Sequence, residues 1–236
     1  MAYKRVLLKL SGEALGALEN GRGIDRDAVD LVANQVAQLA RDGVEVALVC
    51  GGGNILRGSK FSMSGTNRAS ADYMGMLGTV INALALSDAI EKAGVDSRVL
   101  TALEIKAVAE PFVRRRAIRH LERGRVVLLA AGTGNPFFTT DTAAALRATE
   151  LGCEILLKAT KVDGVYTADP KLDPTAERIE SLTYMQVIEQ QLKVMDGTAI
   201  TLAMENNLPV LVFDMFGENN IARAVRGDAL GTLIHA

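Results

Sequence analysis

Three apolar runs in this chain, residues 6–10, 44–49 and 125–131, each lead straight into a glycine turn: Ser11-Gly12, Gly51-Gly52-Gly53 and Gly132-Thr133-Gly134. Strand, glycine turn, helix, strand is the order of an α/β chain with a largely parallel sheet. In an open sheet of that kind the carboxyl ends of the strands gather on one edge, and ligands bind there. A glycine at such an end lets backbone N–H groups approach a phosphate without a clash from Cβ, and the helix that follows adds its positive dipole. One such turn is ordinarily just a tight turn. Three on one edge point to a phosphate-bearing ligand.

The length of 236 residues allows one large α/β domain or two small ones, and the pattern between these turns predicts a largely parallel sheet. Asp25 is placed to cap a helix, with Ile24 stapling onto Val29. Val29, Val32, Ala33, Val36, Leu39 and Ala40 share a helical face, and Gly43 stands at the stop position. Residues 69–93 read as a buried or interface helix. Gly75 and Gly78 inside it cost about 1 kcal/mol each unless something packs closely there. Further helices are expected at 113–124, from Thr139 or Thr140 to Gly152, at 182–192 and at 195–206. Further strands are expected at 99–102, 154–157 and 209–215, with 231–234 as a last edge strand. Asp163-Gly164 reads as a two-residue hairpin turn.

Composition removes several classes. The net charge of −2 over 236 residues makes the whole molecule a poor match for nucleic acid. Arg114, Arg115, Arg116, Arg119, Arg123 and Arg125 alternate with apolar residues, as a solvated helix does. No run of consecutive apolar residues approaches the roughly 20 needed for a bilayer. The opening residues lead into a strand rather than a signal peptide's apolar core. Cys50 and Cys153 stand in apolar surroundings and read as buried thiols of a cytoplasmic protein. Two distant histidines make a zinc or Ser-His-Asp centre improbable.

The chemistry concentrates near the glycine turns. Gly16 to Gly21 has P-loop spacing, but Arg22-Gly23 stands where Lys-Ser/Thr is required. Phe137 replaces the third glycine of a dinucleotide fingerprint. Lys9 lies in an apolar strand just before Leu10-Ser11-Gly12, and Lys158 repeats the arrangement after Ile155-Leu156-Leu157. A lysine in a buried run is costly unless it meets an anion, so the pair suggests a polyphosphate clamp. The plainer alternative is two strand lysines reaching to the sheet edge.

Beyond these features the chain resembles the bacterial-type UMP kinases of the amino-acid-kinase superfamily. The resemblance rests on Lys9-Leu10-Ser11-Gly12-Glu13-Ala14-Leu15, on Gly51-Gly52-Gly53-Asn54 with Arg57-Gly58, and on Gly132-Thr133-Gly134-Asn135-Pro136-Phe137-Phe138-Thr139-Thr140-Asp141. It continues through Lys158-Ala159-Thr160-Lys161-Val162-Asp163-Gly164-Val165-Tyr166-Thr167-Ala168-Asp169-Pro170 and Leu192-Lys193-Val194-Met195-Asp196. It implies ATP-dependent conversion of UMP to UDP in pyrimidine nucleotide biosynthesis, with Mg²⁺. It also implies one three-layer αβα domain over residues 1–236 with a central, mostly parallel sheet, in which residues 1–150 would mainly bind the acceptor and 151–236 the ATP. Lys9, Leu10, Ser11 and Gly12 would hold the donor, with Gly53 and Arg57 lining the same cleft. Gly52 would approach the UMP phosphate, Asp72 its ribose, and residues 133–140 would wrap it. Thr160, Tyr166 and Asp169 would form the adenine and ribose pocket. Lys9, Arg57, Asp141, Lys158 and Asp196 are the implied catalytic set; no protein ligand for the metal is implied. A homohexamer is implied too, with a nucleotide effector such as GTP or UTP near Arg98 and Arg125.

Residue chemistry offers simpler readings beside these. Asp72 follows Arg68 by four positions, the spacing of a helical ion pair. Asp196 stands where a helix N-cap belongs, and Asp141 where an acid complements a helix dipole. A phosphate monoester is already mostly dianionic at neutral pH, so the reaction needs positioning and charge neutralisation rather than a general base. The competing functions are a relative phosphorylating a carboxylate or carbamate, and a nucleotide-binding regulator on the same fold.

Overall fold

In the computed structural model, residues 2–17, 21–56, 65, 67–168, 173, 175–192, 194–217 and 219–236 are described. The first strand, β1 (Arg5–Leu10), lies in the middle of the sheet and pairs in parallel with β2 (Glu45–Cys50) on one side and β6 (Ile155–Thr160) on the other. Strands β3 (Ser97–Thr101), β4 (Glu110–Pro111), β5 (Val126–Ala130), β9 (Ser181–Thr183), β10 (Val210–Asp214) and β11 (Thr232–His235) complete a nine-stranded sheet. Its order is β4-β3-β5-β2-β1-β6-β10-β11-β9, and only β10 with β11 is antiparallel. A small antiparallel pair, β7 (Val165–Tyr166) with β8 (Arg178–Ile179), stands apart.

Each inner strand is apolar on both faces because helices cover both, as parallel sheets require. One layer holds α1 (Arg26–Arg41), α2 (Arg68–Lys92) and α7 (Asn220–Arg226). The other holds α3 (Arg114–Glu122), α4 (Thr140–Leu151), α5 (Tyr184–Glu189) and α6 (Gly197–Glu205). Alternation along β1 sends Val6, Leu8 and Leu10 into the first layer and Leu7 into the second. Asp25 caps α1 by accepting from the Ala28 N–H at 3.0 Å, with Val29 buried beneath it and Ile24 exposed. Thr139 caps α4, and Gly152 ends it.

The glycines of α2 have a packing reason. A Cβ on Gly52 would lie 2.5 Å from the Gly75 carbonyl oxygen and 3.1 Å from the Thr79 nitrogen, so the second glycine turn rests directly on the backbone of this helix. By length and composition α2 would suffice to cross a bilayer, but half of its most apolar stretch is buried in this fold.

Three expectations are corrected, and one helix was not anticipated. Asp163-Gly164 is not a hairpin turn: Val165 and Tyr166 pair with Ile179 and Arg178 instead, and the Val165 N–H donates to Thr232 Oγ1 at 2.8 Å. The loop before them is closed locally, the Val162 N–H donating to Thr160 Oγ1 at 3.1 Å. The last strand is not at the edge, because Ser181–Thr183 pairs outside it. Residues 182–192 were expected to be helical, yet 182–183 belong to β9, the Thr183 capping box starts α5 only at Tyr184, and α5 ends at Glu189. The short α7 went unread, since Asn219 before it is left-handed and makes no side-chain cap.

Leu8 is fully buried in the central strand. Leu8→Ala should therefore cost about 2–5 kcal/mol in urea unfolding, with an unchanged m-value.

Candidate active site

β1 and β6 are parallel neighbours in a register that sets Lys9 opposite Lys158. Both side chains leave the sheet on the face that carries α4, the same face as Leu7 and Leu156. There Asp141, in the first turn of α4, stands between them. Lys9 Nζ lies 2.6 Å from Asp141 Oδ1, and Lys158 Nζ donates to Asp141 Oδ2 at 2.7 Å. All three groups are largely buried.

Electrostatics follow from this crowding. Burial alone would raise the Asp141 carboxyl, but the two lysines and their hydrogen bonds outweigh it and hold the group below the usual carboxylate range. Ionised Asp141 therefore stabilises the fold above the ordinary aspartate range, a contribution lost only as pH falls through its lowered value. Burial, with Lys9 adding to it, lowers the Lys158 ammonium below the usual lysine value, against the attraction of Asp141 and Asp196. An arriving anion would relieve that cost.

Asp196 caps α6 through the Ala199 N–H at 3.0 Å, so the simpler reading of it holds. It does more. Its Oδ1 also accepts from Thr142 Oγ1 at 2.8 Å, and its Oδ2 accepts from the Thr139 hydroxyl. The start of α6 is thereby tied to the start of α4. Lys158 Nζ also donates to the Val194 carbonyl.

Two cavities flank this cluster. The first, about 500 Å³, is lined by Gly52, Gly53, Asp72, Gly132, Thr133, Asn135, Phe138, Thr139 and Thr140 among the expected residues. Glu13, Arg68, Gly75, Met76 and Thr79 line it as well, and sequence reasoning had not marked them. The spacing of Gly75 and Gly78 was the available signal that α2 lies against something. The second cavity, about 490 Å³, is lined by Lys158, Thr160 and Tyr166, with Val162, Gly164, Val165, Gln191, Leu192 and Val194. Ser11 and Gly12 adjoin the cluster from the end of β1, and a Cβ on Gly12 would lie 2.5 Å from the Gly51 carbonyl oxygen. Gly134, Pro136 and Phe137 belong to the same loop as Thr133 and Asn135 but do not line the first cavity. Arg57, Gly58, Asp169, Pro170 and Lys193 lie outside the described residues.

Asp72 accepts Arg68 Nε on both oxygens at 2.9 Å, which is the helical ion pair expected from spacing. It also accepts the Phe137 N–H at 2.8 Å, tying the 133–140 loop across the first cavity. Burial pushes the Cys50 and Cys153 thiols up to about 12, so both stay protonated and neither is a nucleophile.

This geometry can bring two ligands to one edge of the sheet, the first beside the Gly52-Gly53 and Gly132 turns and the second beside Lys158, with Lys9, Asp141 and Lys158 clustered where they meet. The amino acid kinase family model matches residues 4–214. The solved structure of UMP kinase from Bacillus anthracis is 40% identical, with a TM-score of 0.95 over 100% of this chain and 97% of that one. UMP kinase from Ureaplasma parvum is 36% identical, with a TM-score of 0.93 and full coverage of both chains. Uridylate kinase from Archaeoglobus fulgidus is 28% identical, with a TM-score of 0.71 over 97% of this chain and 99% of that one. The chain belongs to the amino acid kinase family.

Proposed function

We propose that this chain is a UMP kinase, transferring the γ-phosphoryl group of ATP to the phosphate of UMP in pyrimidine nucleotide biosynthesis. The observation that carries this reading is the in-register pair Lys9 and Lys158, sharing Asp141 between two cavities. A phosphate oxygen of UMP attacks the γ-phosphorus as the bond to the β-bridging oxygen breaks, and ADP carries the charge away. The attacking oxygen is already ionised, so no proton needs to be removed.

UMP takes the first cavity, with its phosphate toward Gly52 and its ribose toward Asp72. Residues 133–140 wrap the base. ATP takes the second cavity, its adenine against Thr160 and Tyr166 and its phosphates reaching Lys9, Ser11, Gly12 and Gly53. Leu10 forms the strand end behind them, and Arg57 and Asp169 are assigned to the same nucleotide. Lys9 and Lys158 neutralise the transferring group, and Asp141 keeps both pointed at it. Asp196 fixes Thr139 and Thr142, and so the start of α4.

Mg²⁺ is part of the proposal. Oxygen donors Asp141 and Asp196 suit its preference, but among the described residues no three acidic, histidine or cysteine groups gather as a cage. That fits an ion carried in by the nucleotide phosphates, with the two carboxylates holding its water shell. When bound, it would spread the charge of the donor phosphates.

The division into an acceptor half (1–150) and an ATP half (151–236) is supported by where the linings fall. The homohexamer is carried over from the resemblance; an exposed apolar stripe on α2, formed by Tyr73, Leu77, Ile81 and Leu84, is a surface that self-association would cover. For an effector such as GTP or UTP, Arg98 lines a cavity of about 530 Å³ with Glu91 and Lys106, whereas Arg125 is engaged by Asp96 at 3.5 Å. A cytoplasmic location is supported by the two buried, unpaired cysteines.

A coupled assay with ATP and each nucleoside monophosphate should give UMP the highest kcat/KM, well above CMP, AMP and dTMP. Equal values for UMP and CMP would sink the assignment.

Lys9→Ala and Lys158→Ala should each lower kcat at least about a hundredfold, the order of losing one transition-state donor. Circular dichroism should remain native. Wild-type turnover in either variant would refute the clamp.

The pH profile of kcat/KM should show two limbs. The acid limb should follow the ionisation of UMP near roughly 6. The basic limb reports loss of the Lys158 proton and so lies below the ordinary 10.5 of lysine. Asp141→Asn removes an attraction that retains that proton, so its basic limb should move to lower pH while its acid limb stays. Disappearance of the acid limb in Asp141→Asn would instead make Asp141 a base.

A further inference from the structure

One buried polar group remains outside this mechanism. Asn82 is fully buried in the middle of α2, where an amide without partners would be costly. Its partner is Asn54, also buried, at the end of the second glycine turn. The two amides bond reciprocally: Asn54 Nδ2 donates to Asn82 Oδ1 at 2.9 Å, and Asn82 Nδ2 donates to Asn54 Oδ1 at 2.7 Å. Their remaining protons go outward, from Asn82 to the Gly51 carbonyl and from Asn54 to the Gly23 carbonyl, both at 2.7 Å. All four amide protons are thus used.

The acceptors are what make this pair more than core filling. Neither carbonyl belongs to a helix or a strand ladder; both sit in loops beside the site. Holding the Gly51 carbonyl fixes the plane of the peptide that follows. In a trans peptide the N–H points opposite to the C=O, so drawing the Gly51 oxygen toward Asn82 turns the Gly52 N–H away from α2's interior. Gly52 and Gly53 line the first cavity, and their N–H groups donate to no acceptor among the described residues. One turn earlier on α2, Thr79 Oγ1 accepts the N–H of Ala131 at 2.8 Å. Ala131 has φ of +61°, a conformation that a non-glycine residue holds only when its surroundings enforce it. The same helix therefore pins the second and third glycine turns.

We propose that Asn82 is a positioning residue for phosphoryl transfer, acting through Asn54 and the Gly51 carbonyl to aim the Gly51–Gly53 turn. This rests on the UMP kinase reading for its kinetic consequence, not for its structural one.

The test uses full-length Asn82→Leu and Asn82→Asp, with Leu121→Ala as a control destabilised in the opposite layer. Kinetics are measured with ATP, Mg²⁺ and UMP, well below the lowest melting temperature of the set. Asn82→Leu should lose about 10–100-fold in kcat, the cost of a misplaced reacting group. Its KM for ATP should stay within about twofold, and Leu121→Ala should keep wild-type kcat. In Asn82→Asp a protonated carboxyl can still bond reciprocally with Asn54, whereas an ionised one repels the Gly51 and Asn54 oxygens. Its activity relative to wild type should fall as pH rises. Amide hydrogen exchange in residues 51–56 should quicken in Asn82→Leu and not in the control, a readout that needs no substrate. Wild-type failure on UMP would overturn the functional reading and leave the exchange result to judge the brace. Unchanged exchange, a kcat loss no larger than the control's, or a pH-independent Asn82→Asp ratio would each overturn the proposal.

Discussion

Two ammonium groups side by side in neighbouring strands are the constraint to which the rest of this molecule answers. Parallel pairing in register brings Lys9 beside Lys158, and both side chains are largely buried. Left alone they would repel each other and each bear the cost of burial. Asp141 makes the arrangement tolerable, and it is available only because α4 begins where it does. That beginning is fixed by the Thr139 cap and by Asp196 reaching across from α6. A local helix start, a contact between helices and a strand register thus converge on one carboxylate. The compensation is incomplete, because one carboxylate is shared by two cations. That is the state in which a polyanion binds best.

The same logic explains why glycines cluster here. The glycine turns at the carboxyl ends of the strands lie close to one another and to helix backbone. Gly12 abuts the Gly51 carbonyl, and Gly52 abuts that of Gly75. Side chains at these points would push the second glycine turn away from the end of β1 and from α2. Small residues thus permit the close approach beside which Lys9, Asp141 and Lys158 meet.

Much of this was legible in the sequence, and the failures have physical causes. The parallel architecture followed from apolar runs ending in glycine, because that pattern reports burial on both faces of a sheet. Lys9 and Lys158 stood out because a charge in an apolar run demands a partner. Asp141 was in the catalytic set that the resemblance implies, but residue chemistry alone gave it only a helix-dipole role, since sequence separation hides which helix start faces which strand. Asp196 looked like a cap and is one, but its bonds to Thr139 and Thr142 depend on α4 and α6 packing together. Asp163-Gly164 misled because a dipeptide suited to a hairpin cannot reveal that Thr232 and Arg178–Ile179 offer better partners. Asn82 was silent for a related reason. An asparagine in an apolar helix says that a partner exists, not that it is the end of a glycine turn.

The central position of β1 has a consequence for how the chain acquires its structure. β1 is flanked on one side by β2, which follows it closely, and on the other by β6, far along the chain. During synthesis the N-terminal half can pair β1 with β2 and cover one face, but Lys9 has no settled neighbour until both α4 and β6 have emerged. The site thus closes late, through contacts of long sequence separation, which form slowly. Until then the far edge of β1 is an open strand edge, the kind of surface that invites pairing with other chains. A lysine near its carboxyl end is a charge that such mispairing would have to bury.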